Sequence, residues 1–386
     1  HSCPAGAGLE NPAYPGKNSV MSQSVGEGGC WMELLNKVIS NIEKIDYSLA
    51  DKTQKRLDNL TKPRGSLGRL EELAKQVVEI TRKDKPELKN KVIFTFAADH
   101  GVTEEGISAY PKEVTAQMVY NFIRGGAGIN VLARQAGAKV VVADLGVAEK
   151  LKTQKAKGKS FVDKKIALTT NNFAKGPAMT KEEAVSSIES GIEIFLDEWN
   201  KGIDIVGIGE MGIGNTASAS AISAVITGKA VKELTGRGTG IDDKTHFRKI
   251  EVVQKAIELN KPDSKDGIDI LSKVGGFEIG GLAGVVLAAA SERVPVVIDG
   301  FISTAAALIA YTLEPKVKDY LIASHCSVEK GHKAILDYLE LRPILDLSLR
   351  LGEGTGAALA MNIVEAGVKI LNEMATFEAA GVSESI

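Results

Sequence analysis

Four short apolar runs constrain this chain more than any other feature: "KVIFTFAAD", "AKVVVADLGV", "GIDIVGIGE" and "VPVVIDGF", with "KDYLIASHCS" as a fifth candidate. Each is rich in β-branched or apolar residues, and none alternates cleanly with polar ones. Helical stretches separate them, among them "EVTAQMVYNFIRG", "INVLARQAG", "KEEAVSSIESGIEIFLDEW" and "TAAALIAYTLE". A strand buried on both faces reads as a continuous apolar run, and regular strand–helix alternation makes strands parallel. The expected class is α/β: a Rossmann-like parallel sheet covered by helices on both faces.

The ends of the chain read differently. "MELLNKVISNIEKI" and "SLGRLEELAKQVVEITRK" repeat apolar residues at i, i+3, i+4 and i+7, as amphipathic helices do. "LTKPRGSLG" breaks them, with Ser66 a candidate N-cap. "AILDYLEL" and "GTGAALAMNIVEAGVKILNEM" return to helix at the tail. The pattern predicts a large α/β unit over residues 89–334 and a smaller helical region built from residues 32–88 and 335–386. Residues 1–31 are rich in Gly, Pro and Ser and lack the apolar stretch of a signal peptide. They read as a disordered extension or an appended leader.

Composition narrows the partners. A formal net charge of −2 supplies no basic excess for nucleic acid or an anionic membrane surface. Aromatic residues make up 5% of the chain, too few for base-stacking platforms. The most membrane-like run, "IGGLAGVVLAAA", is too short to span a bilayer. Cys326 is the only cysteine outside the first 31 residues, which suits a reducing cytoplasm. His100, His246, His325 and His332 form no zinc-type spacing, so no metal is expected. His100 follows Asp99, and a structural Asp–His hydrogen bond is the expected use of that pair. Cys326 adjoins His325, but strand neighbours point to opposite faces, which argues against a Cys–His catalytic pair.

The apolar runs end in polar residues: Asp99-His100, Asp144-Leu145-Gly146, Gly209-Glu210, Asp299-Gly300 and Ser324-His325. Parallel sheets bind ligands outside the carboxyl ends of their strands, so five such endings predict one shared cleft. "GIGEMGIGNT" fits the dinucleotide pattern G-x-G-x-x-G through Gly207, Gly209 and Gly212. Glu210 inside the turn argues against that use, because a carboxylate there repels a pyrophosphate. Glu233 has the right offset for a ribose-binding acid but lies in no strand-like run. Gly212 and Gly214 also serve close strand–helix packing, while Asn215 or Thr216 can cap a helix whose N-terminus favours an anion.

The device recurs in "LRLGEGTGAALAM", where Glu353 stands between Gly352 and Gly354. Alone it reads as a first-turn glutamate favoured by the helix dipole. Paired with Glu210 it suits a pocket that takes a proton from a neutral heterocycle and steadies a developing cation. A third loop, "TGRGTGID", either converges its amides on a phosphate with nearby lysine help or is a solvated surface loop. It is not the nucleoside-triphosphate loop G-x-x-x-x-G-K-[ST].

From Leu57 to Val382 the chain resembles the nicotinate-nucleotide:dimethylbenzimidazole phosphoribosyltransferase family of cobalamin and other cobamide biosynthesis. The resemblance rests on "KPRGSLGRLE", "AADHGVTEEGISAYPKEVTAQMV", "GIGEMGIGNT", "GRGTGIDD", "DGIDILSKVGGFEIGGLAG", "VVIDGFIS", "SHCSVEKGH" and "RLGEGTGAALAM". It implies transfer of ribose 5-phosphate from nicotinate mononucleotide to a benzimidazole-type base, giving nicotinate and an α-ribazole 5′-phosphate. It further implies Glu353 as general base, with Glu210 as the second carboxylate near the ribose. By the same resemblance Gly238, Thr239, Gly240, Lys249 and Ser327 hold the phosphate, and Asn215 and Thr216, at the helix N-terminus that favours an anion, are expected to join them. Tyr110, Met118, Ile213 and Leu351 then line the slot for the base. A homodimer without metal or redox cofactor is implied. Two other readings share the pocket: a non-catalytic nucleotide- or heterocycle-binding protein, and a nicotinamide-dependent oxidoreductase.

Overall fold

A computed structural model describes residues 32–151, 160–238 and 240–383. The chain from Met32 onward forms one compact unit. Residues 1–31, where the leader is expected, lie outside the described residues.

The described residues form a six-stranded sheet in the order β3-β2-β1-β4-β5-β6. The strands are β1 (Lys91–Ala98), β2 (Ala138–Gly146), β3 (Ser160–Asp163), β4 (Ile205–Met211), β5 (Val296–Ile298) and β6 (Leu321–Ala323). Every pairing is parallel. The chain starts near the middle of the sheet and reverses direction between β1 and β4, where such sheets open a crevice.

Alternation along β1 sorts the two faces. Val92, Phe94, Phe96 and Ala98 join one core with helices Lys181–Trp199 and Phe277–Ser291. Ile93 and Ala97 join the other, with Val119, Ile129, Ala357 and Met361 from helices Glu113–Arg124, Gly128–Ala136 and Thr355–Glu373. All eight β1 residues are buried, which accounts for the unbroken apolar run. The run "IGGLAGVVLAAA" belongs to helix Phe277–Ser291, buried along nearly its whole length. Gly284 of that helix and Gly191 of helix Lys181–Trp199 each face main-chain atoms of the other helix, so even a methyl at either position would collide. Among the described residues no helix is long and apolar enough to cross a membrane.

The terminal helices meet. Helix Arg69–Thr81 packs on helix Thr355–Glu373, and Leu57, Leu60, Ala74, Val78 and Leu371 make a small core of their own. Helix Thr355–Glu373 also lies on β1, β4 and β5, so one element serves both the sheet and the terminal helices. Some local expectations fail. β3 has four residues beside a lysine-rich stretch and carries no strand pattern in the sequence. Ser66 does not cap the Arg69–Thr81 helix; Gly68 takes that position, without a side-chain bond.

Candidate active site

The site begins where β4 ends. Gly209 leaves no room for a side chain, because the backbone of Glu353 and Gly354 lies directly against it. That contact brings the turn Gly352–Glu353–Gly354 onto Gly209–Glu210, so residues 143 positions apart in sequence share one edge of the sheet. A Cβ added to Gly352 would stand 2.5 Å from Glu210 Oε1. The turn that carries Glu353 therefore adjoins the Glu210 carboxylate.

Glu210 is 7% exposed. Its Oε2 accepts a hydrogen bond from Asn215 Nδ2. Burial pushes its pKa up to about 8, with the charge of Glu278 adding to the effect and the Asn215 bond opposing it. Asp299 and Glu353 push in the same direction as Glu278. Asn215 is thus the partner of the carboxylate rather than a helix cap. The cap position of helix Asn215–Thr227 is Gly214, at φ 98°, and no side chain caps it; Thr216 does not either.

Glu353 adopts φ 64°, a left-handed conformation that costs a non-glycine residue on the order of 1 kcal/mol. Two bonds hold it there. Thr95 Oγ1 of β1 donates to its carbonyl at 2.9 Å, and the Ile129 amide donates to Oε2 at 3.0 Å. Ile129 lies in the first turn of helix Gly128–Ala136, so the carboxylate meets that helix's N-terminus. The first-turn alternative is overturned: Glu353 precedes the cap Gly354 and faces a different helix. Burial raises its pKa, while the Ile129 N–H favours the ionised form.

Asp299, at the end of β5, does the capping instead. It accepts amide bonds from Gly354, Gly356 and Ala357 at 3.1, 2.7 and 3.2 Å. Burial still pushes its pKa up to about 7 against those bonds. Its position at a strand end was visible in the sequence; its grip on the turn that carries Glu353 was not, since the partners lie 55 residues or more away.

Beside Asn215, the partner of Glu210, is a small hollow lined by Ile107, Ser108, Gly212, Ile213, Gly214, Asn215, Thr216, Arg237 and Lys249. Lys249 is 2% exposed and donates to Thr216 Oγ1 at 2.6 Å. Burial lowers its pKa to about 8. Gly238, at φ 53°, places its Cα so that a Cβ would be 3.0 Å from Thr216 Oγ1 and 3.4 Å from Lys249 Nζ. Gly240, at φ 100°, faces open space. Thr239 lies outside the described residues. Arg237 ties down its own loop through Ile241 O and Asp243. Ser327 donates its hydroxyl to Leu349 O at 3.1 Å and its amide to His332 Nδ1 at 2.9 Å. Glu329, two residues on, presses its carboxylate against Gly236 and favours the charged form of Lys249. The 236–238 and 327–329 loops thereby meet at Lys249.

The residues expected around the base are less uniform. Ile213 is buried in the turn, its amide bonded to Thr115 Oγ1 at 3.1 Å. Leu351 is 60% exposed, and a Cβ on Gly128 would lie 2.8 Å from its Cδ2 and 3.3 Å from Glu353 Oε2. Leu351 thus forms a rim beside the Glu353 carboxylate. Met118 is partly buried against the core under helix Glu113–Arg124. Tyr110 is 53% exposed, three residues beyond Ile107 of the hollow. His100 does not pair with Asp99. Its Nε2 meets Glu278 Oε1 at 2.7 Å, and Asp99 instead accepts the Ala148 amide at 2.8 Å.

Similarity to known proteins identifies the family. The phosphoribosyltransferase family DBI_PRT matches residues 42–382. The nicotinate-nucleotide–dimethylbenzimidazole phosphoribosyltransferase of Geobacter sulfurreducens is 56% identical over 353 residues, 92% of this chain and 99% of its own length. The enzyme of that name from Chloroflexus aggregans is 54% identical over 353 residues, again 92% and 99%. The crystal structure of the corresponding Thermus thermophilus protein superposes with a TM-score of 0.83 at 41% identity, covering 88% of this chain and 100% of that one. A match this long, over both the sheet and the terminal helices, leaves one conclusion: the chain belongs to the DBI_PRT phosphoribosyltransferase family.

Proposed function

We propose that this enzyme transfers the 5-phosphoribosyl group of nicotinate mononucleotide to 5,6-dimethylbenzimidazole or a related base. The products are nicotinate and α-ribazole 5′-phosphate, an intermediate of cobalamin and other cobamides. The relatives' named activity supports the reaction. The observation that carries the residue roles is the contact of the Glu353 turn with Gly209–Glu210, which puts two acids at one edge and Lys249 beyond Asn215 and Thr216.

In this reading the 5′-phosphate lies by Lys249, Thr216, Asn215 and the Gly238–Gly240 loop, with Ser327 behind. Glu210 then faces the ribose and the pyridinium, and Glu353 faces the incoming base at the rim formed by Leu351, with Ile213, Met118 and Tyr110 flanking it. One ring nitrogen of the base bonds to C1′ while the bond from C1′ to the pyridine nitrogen breaks. The bonding pair goes to that nitrogen, so nicotinate leaves as a neutral ring and needs no strong acid. Attack opposite the leaving group turns the β nucleotide into the α product. The proton on the other nitrogen of the base passes to Glu353. A base works best when its pKa approaches the working pH, which burial of Glu353 promotes. Charge left on the ribose in the transition state is met by ionised Glu210. The cationic pyridinium of the substrate favours that ionised form, and its loss on bond cleavage lets Glu210 regain a proton.

The reading extends to a homodimer working in the cytoplasm, supported by the family resemblance alone. Incubation with nicotinate mononucleotide and dimethylbenzimidazole tests the activity: free nicotinate and the α-ribotide must accumulate in equal amounts. A binding protein would release neither, and a dehydrogenase would require a reducible substrate.

A further inference from the structure

Glu278 is a buried acid beside this site to which the reaction gives no task. It lies in the first turn of helix Phe277–Ser291 and is 0% exposed. One oxygen, Oε1, meets His100 Nε2 at 2.7 Å. The other, Oε2, is buried without a hydrogen-bond partner. An ionisable group buried with an empty acceptor is costly and calls for a reason.

Its surroundings supply one. The His100 ring is fixed from behind, with Nδ1 3.1 Å from Ser218 Oγ, which also donates to Gly275 O at 3.1 Å. The chain Gly275–Ser218–His100–Glu278 thus locks the carboxylate in place. Gly212 then opens the way to the site. A Cβ there would be 3.2 Å from Glu278 Oε1 and 3.4 Å from Asn215 Nδ2, the group that holds Glu210. The missing side chain lets Glu278 and the Glu210–Asn215 pair share one small volume. Other charged or titratable groups also bear on Glu210: Asp299 from the end of β5 and Glu353 from the turn before helix Thr355–Glu373. Asp299 is satisfied by three amides and Glu353 by one, whereas Glu278 keeps an oxygen bare.

We propose that Glu278 is a positioning residue: held by His100, it sets the charge carried by Glu210 and so the pH range in which the nucleotide reacts. Among the charges acting on Glu210, that of Glu278 is the strongest, and it favours the protonated acid. Protonated Glu210 does not repel the substrate's phosphate as it enters, and it ionises when the cationic ring arrives. The inference rests on the phosphoribosyl-transfer reading.

The test is the pH profile of kcat/KM for nicotinate mononucleotide, followed by nicotinate release from about pH 5.5 to about 9.5, a range that brackets the acid limb. In the wild type the acid limb reports ionisation of Glu210. In Glu278→Gln the limb moves to lower pH by on the order of one unit, the size of effect a close charge has on a carboxyl group. Activity above the limb stays within a few fold. Glu278→Asp draws the charge back by one bond and moves the limb less, in the same direction; it also serves if the glutamine variant does not fold. An unmoved limb in either soluble variant, or a loss equal at every pH, overturns the inference and leaves Glu278 a structural partner of His100. Absence of nicotinate release by the wild type would instead overturn the transferase reading itself.

Discussion

The turns at Glu210 and Glu353 look alike in sequence, each a glutamate beside glycines before a helix, yet they are built in opposite ways. Glu210 ends a strand and rests on ordinary extended backbone; its carboxylate is tuned by neighbours, with one amide donor and three acids around it. Glu353 sits in strained left-handed backbone pinned by Thr95, and its carboxylate meets a helix N-terminus through Ile129. One position controls charge through its surroundings; the other controls placement through its backbone. A shared motif therefore says where a carboxylate will be, not whether it will carry a proton.

The sharpest way to break this contrast is to remove each acid in turn. Glu353→Gln should lower kcat by about 10²–10⁴-fold, the range of a lost general base, with the thermal midpoint little changed. Retained turnover would remove Glu353 from proton transfer. Glu210→Gln should lower kcat/KM by about 10²–10³-fold, as loss of a charge-stabilising group does. It should also stabilise the free protein at alkaline pH. The folded pKa of about 8 lies above the ordinary value of 4.5, so the stability tied to the protonated acid is full below pH 4.5 and lost as pH rises through 8. Melting curves on the two sides of that window, at about pH 5 and about pH 9, should coincide more closely for the variant than for the wild type. Equal wild-type midpoints at both values would contradict the burial argument.

Lys249→Met comes next. It should raise KM for the nucleotide about tenfold to hundredfold and change kcat less, the signature of lost ground-state binding. A finer comparison needs no mutation. On the proposed mechanism the free enzyme must have Glu210 ionised and Lys249 protonated, and both groups lie near pH 8. The profile of kcat/KM should be a narrow bell centred there. Bound pyridinium favours the Glu210 carboxylate and bound phosphate the Lys249 ammonium, so the kcat profile should widen on both sides. Identical profiles would show that neither group senses the substrate. The smallest effect is expected at the rim, where Leu351→Ala should raise KM for the base only a few fold, on the order of 1 kcal/mol for partial loss of one apolar contact.

Much of this was readable from the chain. The four apolar runs pointed to the parallel sheet, and both glutamates announced themselves by their glycine neighbours. Short pieces escaped: β3 lacks a pattern, and the helix Asp243–Asn260 that carries Lys249 follows a glycine loop with no strong apolar stripe. Long-range partnerships escaped for a different reason. Asp299 gripping the Glu353 turn and His100 choosing Glu278 over its neighbour Asp99 depend on which strand ends the fold brings together. Local sequence favours the adjacent partner; packing selects the distant one.

Gly209 has a consequence for how such an enzyme can change. Main chain touches main chain there, so the two acid-bearing turns stay at contact distance only while residue 209 has no side chain. Leu351 and Tyr110, by contrast, stand half in water and support little else. On the proposed reading, alterations at this outer lip retune which heterocycle is admitted while the reacting frame keeps its dimensions. Adding even one methyl group at residue 209 would pry that frame apart.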